Sequence, residues 1–321
     1  MLFNQNLENI IFDNHTKHET DELIVLSGYL GPNPVGMLKE LPFNSTVIYG
    51  MYGEKGIQRS LHNALLKHQK DIDNVNIYYS NIAIHSKCYI WKKQNKISNA
   101  LIGSANFSTN GLCTPYREIL TETTSDTYDP LSAYVNKVME NSVLCTDITL
   151  PEKNIDDPVP TQEITRFCKV SLLDNHGAVR PASGLNWGHG KAKNRIDDAC
   201  LVIRKPHIID YPVLFPPIQN YSPMFIGGAR SQRKNDQVEI IWDDGTVMRG
   251  LLEGSQIENG IRYPKNFSSS PSKNIIGEYI RTRLGVPLGE RVTLTDLEQY
   301  GRTYIDISLQ GDGIYFFDFS V

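Results

Sequence analysis

The apolar and polar positions divide the chain into two textures. In the first half, short apolar runs alternate with stretches of helical spacing. Residues 23–26 read as a buried strand ending at Ser27-Gly28, and residues 46–51 as another ending at Gly53. Between 55 and 70, Ile57, Leu61, Leu65 and Leu66 recur at the spacing of one helix face. Segments 76–79, 87–91, 99–103 and 117–121 read as strands, and 130–143 as a helix. Such alternation predicts an α/β sandwich with a mixed sheet over residues 1–150.

The texture then changes. Pro151, Pro158 and Pro160 stand among charges with almost no apolar run, the pattern of a linker, placed at 151–164. From 165 to 321 the chain is strand-like and turn-rich. Strands are expected at 167–173, 199–204, 237–242, 246–252, 304–309 and 314–319. Asp243-Asp244-Gly245 and Gly311-Asp312-Gly313 mark hairpin turns, so the second half is predicted to be a β-barrel. One helix is expected at Asn274–Leu284, with Ile275, Ile276, Tyr279 and Ile280 toward its core.

Length and composition agree with two domains. The chain has 321 residues, and ~150 per domain is an ordinary allotment. Apolar residues make up 40%, enough for real cores. No apolar stretch approaches the ~18 residues of a membrane span, and residues 1–10 lack the basic-then-apolar look of a secretory leader. The five cysteines (Cys88, Cys113, Cys145, Cys168, Cys200) are odd in number and widely spaced. That argues against a disulfide framework or a cysteine zinc site, and a cytoplasmic setting is expected.

Net charge is −4, but the total hides acid-free windows. From Lys87 to Arg117 there is no carboxylate. Between Asp174 and Asp197 lie Arg180, Lys191, Lys193 and Arg195, and between Glu258 and Glu278 lie Arg262, Lys265 and Lys273. A phosphate backbone needs locally positive surface, not a positive total.

The candidate chemistry lies in the first window. His85-Ser86-Lys87 opens one apolar strand, Gly103-Ser104-Ala105-Asn106 closes a second, and Glu118 follows. Residues two apart on a strand share a face, so paired strands would gather His85, Lys87, Ser104 and Asn106. An imidazole can attack phosphorus and form a phosphohistidine. Lysine, serine and asparagine can hold the non-bridging oxygens as charge builds on them. Glu118, set behind the histidine, would fix its tautomer. This set needs no metal, and no metal motif is visible. A second His-x-Lys, His15-Thr16-Lys17, has no Gly-Ser partner and reads as surface, while His62, His68, His176 and His207 stand alone.

With these residues the first domain resembles the nuclease branch of the phospholipase D superfamily. The resemblance implies His85 as nucleophile, Lys87 and Asn106 as phosphate ligands, and Ser104 and Glu118 as supporting groups. The family's fuller pattern has Asp five residues after the lysine; here that position is Lys92. A single motif copy implies a homodimer in which two chains build one site. One His85 would attack and the other would protonate the leaving oxygen.

In the second half, the strings Ser183–Gly188, His189–Arg195, Tyr263–Phe267, Gly277–Gly285, Tyr300–Arg302 and Phe316–Phe319 resemble the C-terminal domain of NgoFVII-type restriction endonucleases. That resemblance implies a pseudobarrel of the plant B-three kind, gripping DNA by two loop arms. The first arm would carry Arg180, Asn186, Trp187, Lys191, Lys193, Asn194 and Arg195. The second would carry Gln256, Arg262, Lys265 and Asn266. Basic groups would hold phosphates while amides and guanidinium groups read base edges, with Trp187 packing under its arm.

The combined expectation is a sequence-specific restriction endonuclease subunit that cuts double-stranded DNA without metal. The resemblance also implies a cognate methyltransferase and, as in some relatives, a helicase-like ATPase partner. The chain has no Gly-x-x-x-x-Gly-Lys-Ser/Thr loop, so ATP and magnesium would enter only through that partner. Two alternatives compete. A phospholipid-cleaving phosphodiesterase would want a basic amphipathic helix, which is not seen. A silent DNA-binding regulator would not need the intact His85, Lys87, Ser104, Asn106 and Glu118.

Overall fold

The structure is a computed structural model that describes residues 1–150, 167–190, 195–218 and 235–321. The chain forms two compact units. The expected linker at 151–164 lies outside the described residues.

The first unit is built on one mixed eight-stranded sheet. Its strands are β1 (Leu2–Phe3), β2 (Glu22–Ser27), β3 (Asn44–Tyr49), β4 (Val75–Ser80), β5 (Lys87–Lys93), β6 (Lys96–Gly103), β7 (Leu120–Glu122) and β8 (Ser142–Leu144). Their order across the sheet is β1-β7-β6-β5-β2-β3-β4-β8. Strands β2, β3 and β4 run parallel, whereas β5 returns antiparallel beside β2. The helices are α1 (Leu7–Phe12), α2 (Pro32–Met37), α3 (Tyr52–Lys55), α4 (Arg59–Asp71), α5 (Thr109–Cys113) and α6 (Tyr128–Met139).

The near-continuous apolar runs of β2 to β5 follow from burial on both faces. Ile24, Leu26, Ile48, Cys88, Ile90 and Ala100 pack with Val135 and Val138 of α6. Their alternates Leu23, Val25, Val47, Ile77, Tyr89, Trp91 and Leu101 are buried as well. On α4, Leu61, His62, Ala64 and Leu65 are buried, the stripe the sequence spacing predicts in part.

Several boundaries differ from expectation, each for a local reason. The helix expected at 55–70 is two helices, broken at Gly56 with φ 63. The strand expected at 46–51 stops at Tyr49, because Gly50 and Met51 turn to donate to the carbonyls of Ser27 and Gly28. The strand expected at 117–121 is only Leu120–Glu122, and Tyr116 before it is left-handed at φ 61. Pairing with β6 ends at Gly103↔Leu120, which leaves Glu118 in a loop. The helix expected to reach 143 ends at Met139, and Ser142–Leu144 is a strand.

The second unit holds a seven-stranded sheet in the order β10-β15-β12-β11-β17-β16-β9. These strands are β9 (Phe167–Ser171), β10 (Leu201–Val202), β11 (Asp236–Trp242), β12 (Val247–Glu253), β15 (Asn266–Ser269), β16 (Tyr304–Gly311) and β17 (Ile314–Asp318). A separate hairpin pairs β13 (Gln256–Glu258) with β14 (Ile261–Tyr263). Helices α7 (Lys205–Asp210), α8 (Asn274–Leu284) and α9 (Leu294–Tyr300) accompany the sheet. One core gathers Val170, Val238, Ile240, Trp242, Phe267, Ile276, Ile280, Leu297, Ile305, Tyr315 and Phe317. Helix α8 has the expected bounds, but Ile275 faces solvent while Arg281 is fully buried. Helix α9 escaped the sequence reading, although Thr293 and Asp296 form a capping box at its start.

Candidate active site and a cleft in the second unit

The topology of the first sheet decides where its chemistry falls. The ends of parallel strands β2 and β3 lie beside the start of β5, since Ser27 pairs with Lys87. The end of β6 lies there too, since Cys88 pairs with Ile102. Side chains that leave these four strand ends therefore meet at one edge of the sheet, where ligands bind in open α/β sheets. The edge is stitched by side-chain and backbone bonds. Ser27 Oγ accepts from Phe107 N at 2.9 Å and donates to Tyr29 O at 2.7 Å. Gly31 N donates to Phe107 O at 2.8 Å.

His85 precedes β5 and its side chain is exposed, while Lys87 begins the strand and is 5% exposed. Lys87 Nζ lies 3.1 Å from His85 Nδ1 and also donates to His85 O. An ammonium has donors only, so this contact assigns the Nδ1 lone pair to Lys87 and the ring proton to Nε2. Burial lowers the His85 pKa below its usual value, and the charges of Lys87 and Lys55 lower it further against Glu54. Burial likewise lowers the Lys87 pKa, with Glu118 opposing. The histidine is thus held toward its neutral, nucleophilic form.

Asn106 and Ser104 follow the end of β6. Asn106 Oδ1 accepts from Tyr29 N at 3.3 Å, with Ser27 Oγ at 3.5 Å, which turns the NH2 end outward as a donor. Ser104 is exposed; its Oγ accepts from Ile119 N at 3.1 Å and keeps its O–H to donate elsewhere. Tyr89, fully buried, donates to Ala105 O at 2.8 Å and so fixes the loop between the two.

Glu118 differs from expectation. It pairs with Arg117 Nε at 3.8 Å, and its charge opposes the lowering of the Lys87 pKa and adds to the raising at Tyr89. The atom that meets His85 Nδ1 is Lys87 Nζ. The reason is local: the loop that carries Glu118 is pinned through Ile119, whose carbonyl accepts from Ser104 N. Lys92, at the position of the family's Asp, stands at the far end of β5 and pairs with Glu22 at 3.7 Å.

Three neighbours of the site were not singled out by sequence. Gly28 lies against the pair: a Cβ there would stand 3.1 Å from His85 Cδ2 and 3.2 Å from Lys87 Nζ. The Tyr29 ring meets His85 edge-on at 5.9 Å. Lys55 donates to Tyr29 Oη at 3.0 Å. The only available signal was their position just past the ends of two buried strands.

In the second unit, a cleft of about 930 Å³ is lined by Arg180, Trp187, Arg204, Gln256, Lys265 and Asn266, among others. Most of the predicted arm residues within the described segments thus reach one cavity. Arg180 is paired with Asp174 at 3.1 Å. Gln256 donates to Ile203 O and Pro264 O, both at 2.9 Å, which commits its NH2 end to the backbone. Lys273 lies 4.6 Å over the Trp187 ring and is paired with Glu253. Arg262 is exposed on β14, and Arg195 donates to Ser272 Oγ at 2.6 Å; neither lines the cleft.

Asn186 is a correction. It is 1% exposed, and its amide bonds Arg180 O, Val292 O and Val292 N. An amide spent on three backbone groups inside the core has nothing left for a base edge. Lys191, Lys193 and Asn194 lie outside the described residues. Arg281 is structural as well: buried, it bonds the carbonyls of Glu290, Asp197, Gly277 and Leu185.

A family model for the NgoFVII restriction endonuclease N-terminal PLD domain matches residues 5–152, and one for the NgoFVII C-terminal B3-like DNA-binding domain matches residues 161–310. The chain belongs to the NgoFVII restriction endonuclease family. Its first unit is therefore a phospholipase D-like domain and its second a B3-like, nearly closed barrel. The restriction endonuclease family supplies the coarse function: a nuclease domain joined to a DNA-binding domain. Among solved structures the chain is similar to NucT from Helicobacter pylori, at 16% identity and TM-score 0.34, over 45% of this chain and 97% of that one. It is also similar to the polyphosphate kinase from Porphyromonas gingivalis, at 14% identity and TM-score 0.30, over 49% of this chain and 24% of that one. No curated protein matches it.

Proposed function

We propose that this chain is the nuclease subunit of a restriction system and cleaves double-stranded DNA at a specific sequence through a phosphohistidine on His85. The observation that carries the reading is the His85–Lys87 contact at 3.1 Å beside an Asn106 whose oxygen is already anchored. A phosphate entering there draws the Lys87 ammonium onto its non-bridging oxygens and releases the imidazole lone pair. The unprotonated ring nitrogen attacks phosphorus as the P–O bond breaks, and the leaving oxygen takes a proton from a protonated His85 of a second copy. Water then attacks phosphorus, giving its proton to the now neutral His85 of the second copy, as the N–P bond breaks; the attacking imidazole is released neutral and the second is protonated again. Lys87, the Asn106 amide and the Ser104 hydroxyl hold the developing charge.

One His85 per chain gives either the nucleophile or the acid, so the working unit is a homodimer with one composite site. Lys87 supplies the positive charge a metal would otherwise bring, and the chemical step proceeds without one. The cleft of the second unit reads the site through Arg180, Gln256, Lys265 and Asn266. A cognate methyltransferase protects host DNA and the setting is cytoplasmic; a helicase-like ATPase partner would bring ATP and magnesium to delivery along DNA and not to the chemical step, which this chain carries out by itself. Among the described residues no helix is long and apolar enough to cross a membrane.

The test is nicking and linearisation of plasmid DNA in EDTA by wild type and by His85→Ala. Activity confined to the wild type supports the reading. DNA binding without cleavage by either favours the silent regulator, and hydrolysis of phospholipid vesicles in place of DNA favours the phosphodiesterase alternative.

A further inference from the structure

The site described above has one cation in contact with the nucleophile. The structure brings a second to its margin. Lys55 ends the short helix that follows β3, and Gly56 with φ 63 turns the chain away after it. Its Nζ donates to Tyr29 Oη at 3.0 Å and stands 5.7 Å from the centre of the Tyr29 ring. The same ring meets His85 edge-on at 5.9 Å.

Tyr29 is no loose surface residue. Its backbone N–H donates to Asn106 Oδ1 and its carbonyl accepts from Ser27 Oγ. Its ring also packs 6.2 Å from Tyr49 at the end of β3. The residue that orients Asn106 therefore also holds Lys55. A lysine fixed in advance loses less side-chain freedom when a ligand arrives than one that swings in solvent. The charge of Lys55 is felt at His85, where Glu54 is the opposing acid.

We infer that Lys55, held by Tyr29, binds the phosphate next to the one attacked, so that the site is built for a polymer with a charge on every nucleotide and not for an isolated phosphodiester. Lys87 touches the nucleophile directly, whereas Lys55 reaches it only across the width of an aromatic ring. That offset suits a neighbouring linkage of the same strand. A nucleic-acid strand supplies such a linkage, and a single phospholipid does not. The inference rests on the nuclease reading above.

The experiment measures plasmid cleavage by the full chain at several salt concentrations, for wild type, Lys55→Ala, Lys55→Arg, Tyr29→Phe and His85→Ala. Lys55→Ala is expected to lower kcat/KM roughly ten-fold, chiefly through KM, and to reduce the slope of log rate against log salt by about one. Lys55→Arg should restore most of the loss, and Tyr29→Phe should weaken cleavage in the same direction by a smaller factor. Thermal unfolding of Lys55→Ala at the wild-type temperature shows that the loss is not one of folding. A wild-type kcat/KM and salt slope in Lys55→Ala overturn the inference, and the nuclease reading survives if His85→Ala is dead. Absence of cleavage by the wild type overturns both.

Discussion

The hydroxyl of Tyr89, in the middle of β5, donates to the carbonyl of Ala105 at 2.8 Å. The strand that begins at Lys87 is thereby tied to the loop that carries Ser104 and Asn106. Tyr89 is fully buried, so its partner has no water to fall back on. Tyr89→Phe should cost about 1–3 kcal/mol in urea unfolding, the usual cost of leaving a buried acceptor unpaired. It should also lower cleavage more than stability alone explains, because Asn106 loses its register. Wild-type kcat in a folded Tyr89→Phe protein would count against this bond as a support of the site.

Gly28 supplies a second prediction. A Cβ at this position would stand 3.1 Å from His85 Cδ2 and 3.2 Å from Lys87 Nζ. Both are side-chain atoms that can shift, so the fold should tolerate Gly28→Ala while the His85–Lys87 contact is pushed apart. Cleavage is expected to fall at least ten-fold with the melting temperature nearly unchanged. A fully active Gly28→Ala protein would show that the close approach at Gly28 has no catalytic meaning.

The pH dependence follows from His85. Its pKa is lowered by burial and by Lys87 and Lys55, so the neutral form persists below the pH at which a free imidazole protonates. Cleavage needs one neutral and one protonated His85, so its pH profile should be a bell whose centre lies below the usual imidazole value of about 6.5, falling on both sides. Lys87→Met removes a neighbouring positive charge and should raise the His85 pKa, as NMR titration of the imidazole would show. An unchanged or lower value would mean that Lys87 does not face the ring in solution.

The second unit separates scaffold from recognition. Asn186 bonds Arg180 O and both polar backbone groups of Val292, all in the interior. Asn186→Ala should therefore destabilise by about 1–3 kcal/mol, and any loss of DNA binding should follow unfolding. Lys265 lines the cleft and is exposed. Lys265→Ala should leave stability alone, weaken DNA binding and lower its salt slope by about one. Binding measured by anisotropy beside thermal melts distinguishes the two, and equal effects at both positions would undo the assignment.

These residues also show what could be read from the chain before its fold was known. The buried strands were legible because both faces of the sheet are covered, which writes unbroken apolar runs such as those around Val25 and Ile90. The His85–Lys87 contact was legible because the two residues stand two apart at the start of one strand, and the place of Ser104 and Asn106 beside it because they end the strand paired with that one. That Lys87 and not a carboxylate meets His85 Nδ1 is not written in the spacing, and the loop of Glu118 is held through Ile119, a tertiary bond with no periodic trace. Gly28, Tyr29 and Lys55 were missed for a related reason: the parallel order of β2 and β3 brings them to the site, and strand order is not written in local spacing. Asn186 looked like an arm residue because it sits in a Gly-rich basic stretch, yet two of its partners belong to Val292, 106 positions away.

The most direct measurement is capture of the covalent intermediate. The full chain is mixed with DNA labelled at the scissile phosphate, quenched in alkaline denaturant, and its labelled peptide is sequenced. The label is expected on His85 and absent from the His85→Ala protein. Cleavage at full rate with no labelled protein, or a label that persists without His85, would contradict attack by this imidazole.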